Sequence, residues 1–102
     1  MIIYGAGDSG YLLVKELLQN RKYGLSPVGW IDDDETKQNM FLYGFKIYGG
    51  EEQLVSACEK AKATVVLIST KEIDESKERM LSEKLALNNI QVGRFNVNLY
   101  YK

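Results

Sequence analysis

Three glycines near the amino terminus, Gly5, Gly7 and Gly10 in "MIIYGAGDSG", stand at the spacing G-x-G-x-x-G. Such a triplet arises by chance, and it gains meaning only when it follows a strand and opens a helix, as it does here. The chemistry it supports is phosphate holding. Gly5 permits a tight turn, Gly7 lets backbone approach a pyrophosphate, and Gly10 lets the following helix pack closely on a sheet. Helix-start N–H groups then face the phosphates. Ala6, Asp8 and Ser9 complete the loop, with helix capping as the other use of Asp8 and Ser9. The alternative for the glycines is a tight strand-to-helix connection with no ligand.

About twenty residues beyond the last glycine, where a ribose 2′-hydroxyl would be bonded in such a fold, stands Asp32. Asp33 and Asp34 follow it. A like-charge pair at about 4 Å costs ~1 kcal/mol in water and ~4 near a protein surface, so a 2′-phosphate is disfavoured by about one to three decades unless Lys37 screens it. A solvated turn or a helix N-cap is the other reading of Asp33 and Asp34.

The elements that must position these residues follow from periodicity. "MIIY" reads as a buried strand, and Leu13, Val14, Leu17 and Leu18 mark a helix over 11–20. "PVGWI" is a second strand ending in the three acids. Alternation and aromatic content predict a third strand around Phe45–Tyr48, after a turn at Gly44. Helices are expected over 51–60 and 75–87. "ATVVLIST" and "IQVGRF" supply the fourth and fifth strands. Strands alternating with helices imply parallel pairing through right-handed crossovers. The expected fold is therefore α/β: a Rossmann-like doubly wound parallel sheet of about five strands in the order 3-2-1-4-5, one domain over 1–102.

In that order the switch point lies between the first and fourth strands, which brings Ser69 and Thr70 beside the glycine loop. Their hydroxyls would reach a phosphate or ribose, or simply end the strand. No catalytic residues are expected. Tyr11 and Lys15 form Y-x-x-x-K, the spacing of the acid–base pair in short-chain dehydrogenases and sugar epimerases. They sit in the first helix rather than a later one, so that role is rejected.

With no histidine and one cysteine, Cys58, neither a zinc site nor a Ser-His-Asp or Cys-His pair can be built. The cysteine is expected to be a small core residue. A lone thiol fits a reducing, cytoplasmic setting. The composition is that of a globular domain, with 45% hydrophobic and 26% charged residues among 102. A net charge of -1 without a basic patch argues against a nucleic-acid partner. The longest apolar runs are too short to cross a bilayer, so this segment is expected to make no membrane contact.

Taken together, the glycine loop, "SPVGWIDDD" and "GFKIYGG" resemble the CoA-binding-like Rossmann domain that precedes the catalytic domain of bacterial polysaccharide-biosynthesis nucleotide-sugar epimerase/dehydratases. Pro27, Gly29, Asp32, Asp33, Asp34, Gly44 and Gly49 fall where that pattern places them. Glu35 and Asn39 depart from it. The resemblance implies a fragment of a larger protein at the cytoplasmic face of the bacterial inner membrane, with a separate catalytic domain as its partner. It also implies a nucleotide ligand, whether NAD(P), CoA or a UDP-sugar, contacted by Gly5, Gly7, Gly10 and Asp32. Two alternatives stay open. One is the nucleotide-sugar-binding front half of a sugar O-acyltransferase, which usually shows a histidine near the loop. The other is a ligand-free scaffold for homo-oligomerisation, using the aromatics of "NVNLYYK".

Overall fold

The computed structural model describes residues 1–70 and 73–95. The carboxyl-terminal "NVNLYYK" lies outside the described residues. Strand β1 (Ile2–Tyr4) leads into helix α1 (Asp8–Gln19), and β2 (Gly29–Ile31) follows. A hairpin of β3 (Phe41–Leu42) and β4 (Phe45–Lys46) comes next, then a short 3-10 turn (Glu51–Gln53) and α2 (Leu54–Ala61). The chain continues through β5 (Val65–Ile68), α3 (Glu75–Ala86) and β6 (Gln91–Arg94).

The main sheet has the order β2-β1-β5-β6 and its strands run parallel. Successive β1 residues point to opposite faces, as strand geometry requires. Ile2 and Tyr4 enter a core with Leu54, Ala57 and Cys58 of α2 and Leu81 and Leu85 of α3. Ile3 joins Leu13, Val14 and Leu17 of α1 on the other face, together with Trp30 and Ile47. Helices on both faces make the sheet doubly wound, as the residue pattern implied. Cys58 is buried in the core, and burial pushes its thiol pKa up.

The expected third strand is only partly realised. The order holds, because the segment after β4 lies along β2 through the Trp30–Ile47 bridge. Tyr48 N–H donates to the Trp30 carbonyl at 3.0 Å, and Asp32 N–H to that of Gly49 at 2.9 Å. The main sheet nevertheless has four strands, because Phe45 and Lys46 pair backwards with β3. Tyr43 (φ 52°) and Gly44 (φ 85°) make the two-residue positive-φ connection of a type I′ hairpin, which commits β4 to its antiparallel neighbour.

The first helix starts earlier than periodicity suggests, at Asp8 rather than Tyr11. Its N-cap is Gly7, with extended backbone and no side-chain cap hydrogen bond. Capping therefore does not occupy Asp8 or Ser9. Helix α3 has a conventional start: the Asp74 carboxylate accepts the Lys77 N–H at 2.8 Å, a cap worth about 1 kcal/mol.

Candidate functional site

At the carboxyl ends of β1 and β5, where the chain leaves the sheet in opposite directions, lies a cleft of about 660 Å³. That is within the size range of small-molecule sites and at the place where open α/β sheets bind ligands. The glycine loop, the three aspartates after β2, Ser69 and Thr70 after β5, and Ile73 and Lys77 before and in α3 line it. The structure thus brings together nearly all the residues singled out from the sequence; Ala6 is buried behind them.

The glycines differ in what they permit. Gly5 has φ 109°, and a Cβ there would lie 2.8 Å from Ser69 Oγ. At Gly10 a Cβ would stand 2.2 Å from the Gly5 carbonyl oxygen and 2.8 Å from the Trp30 ring, so glycine lets α1 sit against the sheet. At Gly7 a Cβ would meet nothing within 4 Å. Packing accounts for the first and last glycines but not for the middle one, which lines the cleft. The α-helical ladder of α1 begins with Tyr11 N–H donating to the Gly7 carbonyl at 3.0 Å. The N–H groups of Asp8, Ser9 and Gly10 precede that ladder, at the positive end of the helix dipole.

Three consecutive aspartates have three different tasks. Asp32 Oδ2 accepts the Ala6 N–H at 2.7 Å, and Oδ1 accepts that of Asp34 at 2.8 Å. Lys37 Nζ approaches Asp32 Oδ2 at 3.9 Å and the Ala6 carbonyl at 3.4 Å, so the lysine expected to screen a 2′-phosphate stands beside Asp32. Asp33 accepts the Tyr4 hydroxyl on Oδ2 and the Glu51 N–H on Oδ1 at 2.9 Å. It is thereby the N-cap-like acceptor for the turn that begins α2. Asp34 is solvent-facing and accepts both the backbone N–H and the hydroxyl of Thr36, at 3.0 and 2.6 Å. Those bonds, the hydroxyl first, hold its carboxyl below the usual range.

Ser69 is buried and its hydroxyl lies 2.8 Å from the Gly5 carbonyl and 3.1 Å from that of Tyr4. It braces the glycine loop from below. The Ala6 N–H is likewise committed, to Asp32. Thr70 gives its carbonyl to Arg94.

Four side chains that matter here carried no clear functional signal in the sequence. Tyr4 belongs to an apolar strand run, yet its hydroxyl reaches Asp33; burial and that bond push its pKa well above the ordinary value. Lys77 Nζ lies 3.2 Å from Glu51 and 4.0 Å from Asp33, tying α3 to the turn before α2 across the cleft. Arg94 and Glu78 pair at the far wall. Only Asp74, spaced three residues before Lys77, could have hinted at where that lysine sits.

The lining side chains include the carboxylates of Asp8, Asp32, Asp33 and Asp34 against the ammonium groups of Lys37 and Lys77, so the cleft is acidic on balance. Among the described residues no group of three or more His, Cys, Asp or Glu could hold a metal ion, and no helix is long and apolar enough to cross a membrane. Tyr11 lies outside the cleft, its ring tilted by 40° against that of Tyr43 with centroids 4.9 Å apart, and Lys15 faces its ring.

The fold and the site define a Rossmann-type domain, and comparison with known proteins agrees. No family model matches the chain. It is 37% identical over 68 residues to a Bacillus subtilis (strain 168) protein described as "Probable polysaccharide biosynthesis protein EpsC". It is 28% identical over 91 residues to the capsular polysaccharide biosynthesis protein CapD of Staphylococcus aureus. The matched segments span 67% and 88% of this chain but only 11% and 15% of those relatives. The fold superposes on a crystal structure of UDP-D-quinovosamine 4-dehydrogenase from Vibrio fischeri with a TM-score of 0.76 and 28% identity, covering 94% of this chain and 77% of that one. The chain is a Rossmann-type domain homologous to one segment of polysaccharide-biosynthesis proteins, as the glycine loop and "SPVGWIDDD" implied.

Proposed function

We propose that the chain is a nucleotide-binding accessory domain of a nucleotide-sugar epimerase or 4,6-dehydratase of polysaccharide biosynthesis, and that its ligand is NAD in preference to NADP or CoA. The observation that carries the reading is the open space at Gly7. Among the described residues no atom crowds that position, whereas a pyrophosphate lying against the backbone would. The amides at the start of α1 would donate to that pyrophosphate, and Asp32 would accept from a ribose hydroxyl while holding the loop through Ala6.

Charge selects among nucleotides. A 2′-phosphate would meet Asp32, Asp33 and Asp34, three carboxylates against two described lysines, Lys37 beside Asp32 and Lys77 beside Asp33. CoA, with its additional ribose phosphate, faces the same carboxylates. NAD brings only its pyrophosphate, offset in the oxidised form by the nicotinamide cation. In this reading the segment holds the nucleotide and does no chemistry itself: the chain contains no histidine, and Tyr4, the one phenol lining the cleft among the described residues, is bonded to Asp33. The catalytic groups would reside in other parts of the parent protein, at the cytoplasmic face of the membrane.

A second reading, as an oligomerisation or docking module, is favoured by one feature. The Tyr11 and Tyr43 rings meet at the surface near Met40 and Phe41, the latter 69% exposed. Light scattering separates them: a monomer removes self-association.

The test of binding is a thermal-shift panel of NAD, NADP, CoA and UDP-sugars. A ligand at about 100 times its Kd stabilises by about 2.7 kcal/mol, and a domain of this size moves by roughly 4 to 8 °C per kcal/mol. A clear shift with NAD and a smaller one with NADP are expected. No shift with any of the four would overturn the binding role, and a shift with UDP-sugar alone would transfer it to nucleotide-sugar recognition.

A further inference from the structure

Beyond the glycine loop and the aspartates, one charged side chain spends its donors on a cleft wall. Arg94, the last residue of β6, bonds Glu78 of α3 through Nε, 3.1 Å from both carboxylate oxygens, and its Nη2 lies 3.0 Å from Oε2. Its Nη1 donates to the Thr70 carbonyl at 3.0 Å and its Nη2 to the Ile73 carbonyl at 3.3 Å. Both carbonyls belong to the connection between β5 and α3, and Thr70 and Ile73 both line the cleft. The Arg94 and Glu78 side chains are about three-quarters buried. A lysine could replace the charge but not this planar fork, which reaches a helix carboxylate and two carbonyls at once.

We infer that Arg94, held by Glu78, is a positioning residue that sets Thr70 and Ile73 in the cleft wall before ligand arrives. The inference rests on the nucleotide-binding reading of the cleft. Presetting a wall lowers the ordering cost that a ligand would otherwise meet, so the clamp is expected to act on affinity. It is distinct from the glycine loop and Asp32, which would touch the nucleotide. Arg94 acts through backbone carbonyls and need not touch it at all.

The test uses the 102-residue chain carrying Arg94→Lys and, separately, Glu78→Gln. Two quantities are read: the NAD dissociation constant by calorimetry, and hydrogen exchange at the amides of Thr70 and Ile73 compared with those of β1 and α1. Arg94→Lys is expected to weaken NAD about tenfold and to speed exchange at Thr70 and Ile73 while leaving β1 and α1 protected. Glu78→Gln is expected to give a smaller change of the same pattern. A merely structural role would speed exchange throughout the sheet, and that result would overturn the inference. So would wild-type affinity and local exchange in Arg94→Lys. If the unmodified chain fails to bind NAD, the binding role falls, and the exchange pattern alone still decides whether Arg94 sets the wall.

Discussion

Asp32 Oδ2 accepts the N–H of Ala6 at 2.7 Å, so the end of the second strand is fastened directly to the middle of the glycine loop. The same carboxylate orders the aspartate run through the Asp34 N–H and draws in Lys37. One side chain thus shapes the loop that would hold phosphate and stands where ribose would lie.

Replacing that carboxylate by its amide tests the structural half of this role. In Asp32→Asn an N–H₂ group must face either the Ala6 or the Asp34 N–H, leaving two donors opposed. A lost charged hydrogen bond of this kind costs about 1.5–3 kcal/mol. The melting temperature should fall by roughly 4 to 8 °C for each kcal/mol. An unchanged melting temperature would show that the Asp32–Ala6 bond does not hold the loop.

The glycines give a sharper contrast. Gly10→Ala places a Cβ 2.2 Å from the Gly5 oxygen and should destabilise by at least the ~1–3 kcal/mol typical of overpacking. Gly7→Ala meets no atom and needs no unusual backbone (φ -102°), so its stability should stay within about 1 kcal/mol of the parent. Urea melts of the two variants check the ordering.

Alkaline stability reports on Tyr4. Its pKa is raised by burial and by the bond to Asp33, so the native state favours the neutral phenol. The resulting stability is fully present below the unfolded tyrosine pKa of about 10 and is lost as pH rises above it. Tyr4→Phe cannot ionise, and should lose less stability than the parent between pH 9 and about 11. Parallel slopes for the two proteins would contradict the assignment.

The hairpin supplies a prediction remote from the cleft. Tyr43 holds φ 52° without being glycine, asparagine or aspartate, the residues that tolerate it best. Tyr43→Asn relieves that strain but removes the ring packed against Tyr11, while Gly44→Ala, at φ 85°, adds strain and removes nothing. Gly44→Ala should therefore cost about 1 kcal/mol or more, and Tyr43→Asn less, as thermal melts would measure.

Much of this was legible in the sequence because it rests on local rules. The apolar runs ended by Gly5 and Asp32 predict strands that stop at one edge of a sheet, and alternation with helices predicts which edge. The roles of the individual aspartates were not legible, because identical neighbours are told apart by distant partners: Ala6 for Asp32, Tyr4 and Glu51 for Asp33, Thr36 for Asp34. Arg94 left no trace for a related reason. Two of its partners are backbone carbonyls, which every residue possesses. The expected third strand is longer than the real one because "FKIY" alternates like a strand, while the Tyr43–Gly44 turn takes its first two residues for a hairpin. A helix begun inside the glycine loop escapes periodicity, since its first turn has no apolar residue to betray it.

In the proposed role Gly7 is kept for a ligand and the other two glycines for the fold. Calorimetric titration of NAD into the unmodified chain and into Gly7→Ala, with melting temperatures taken alongside, measures this directly. Binding to the first, at least tenfold weaker binding to the second, and melting temperatures that differ by no more than roughly 8 °C are expected. Equal affinity of the two proteins for NAD would contradict it.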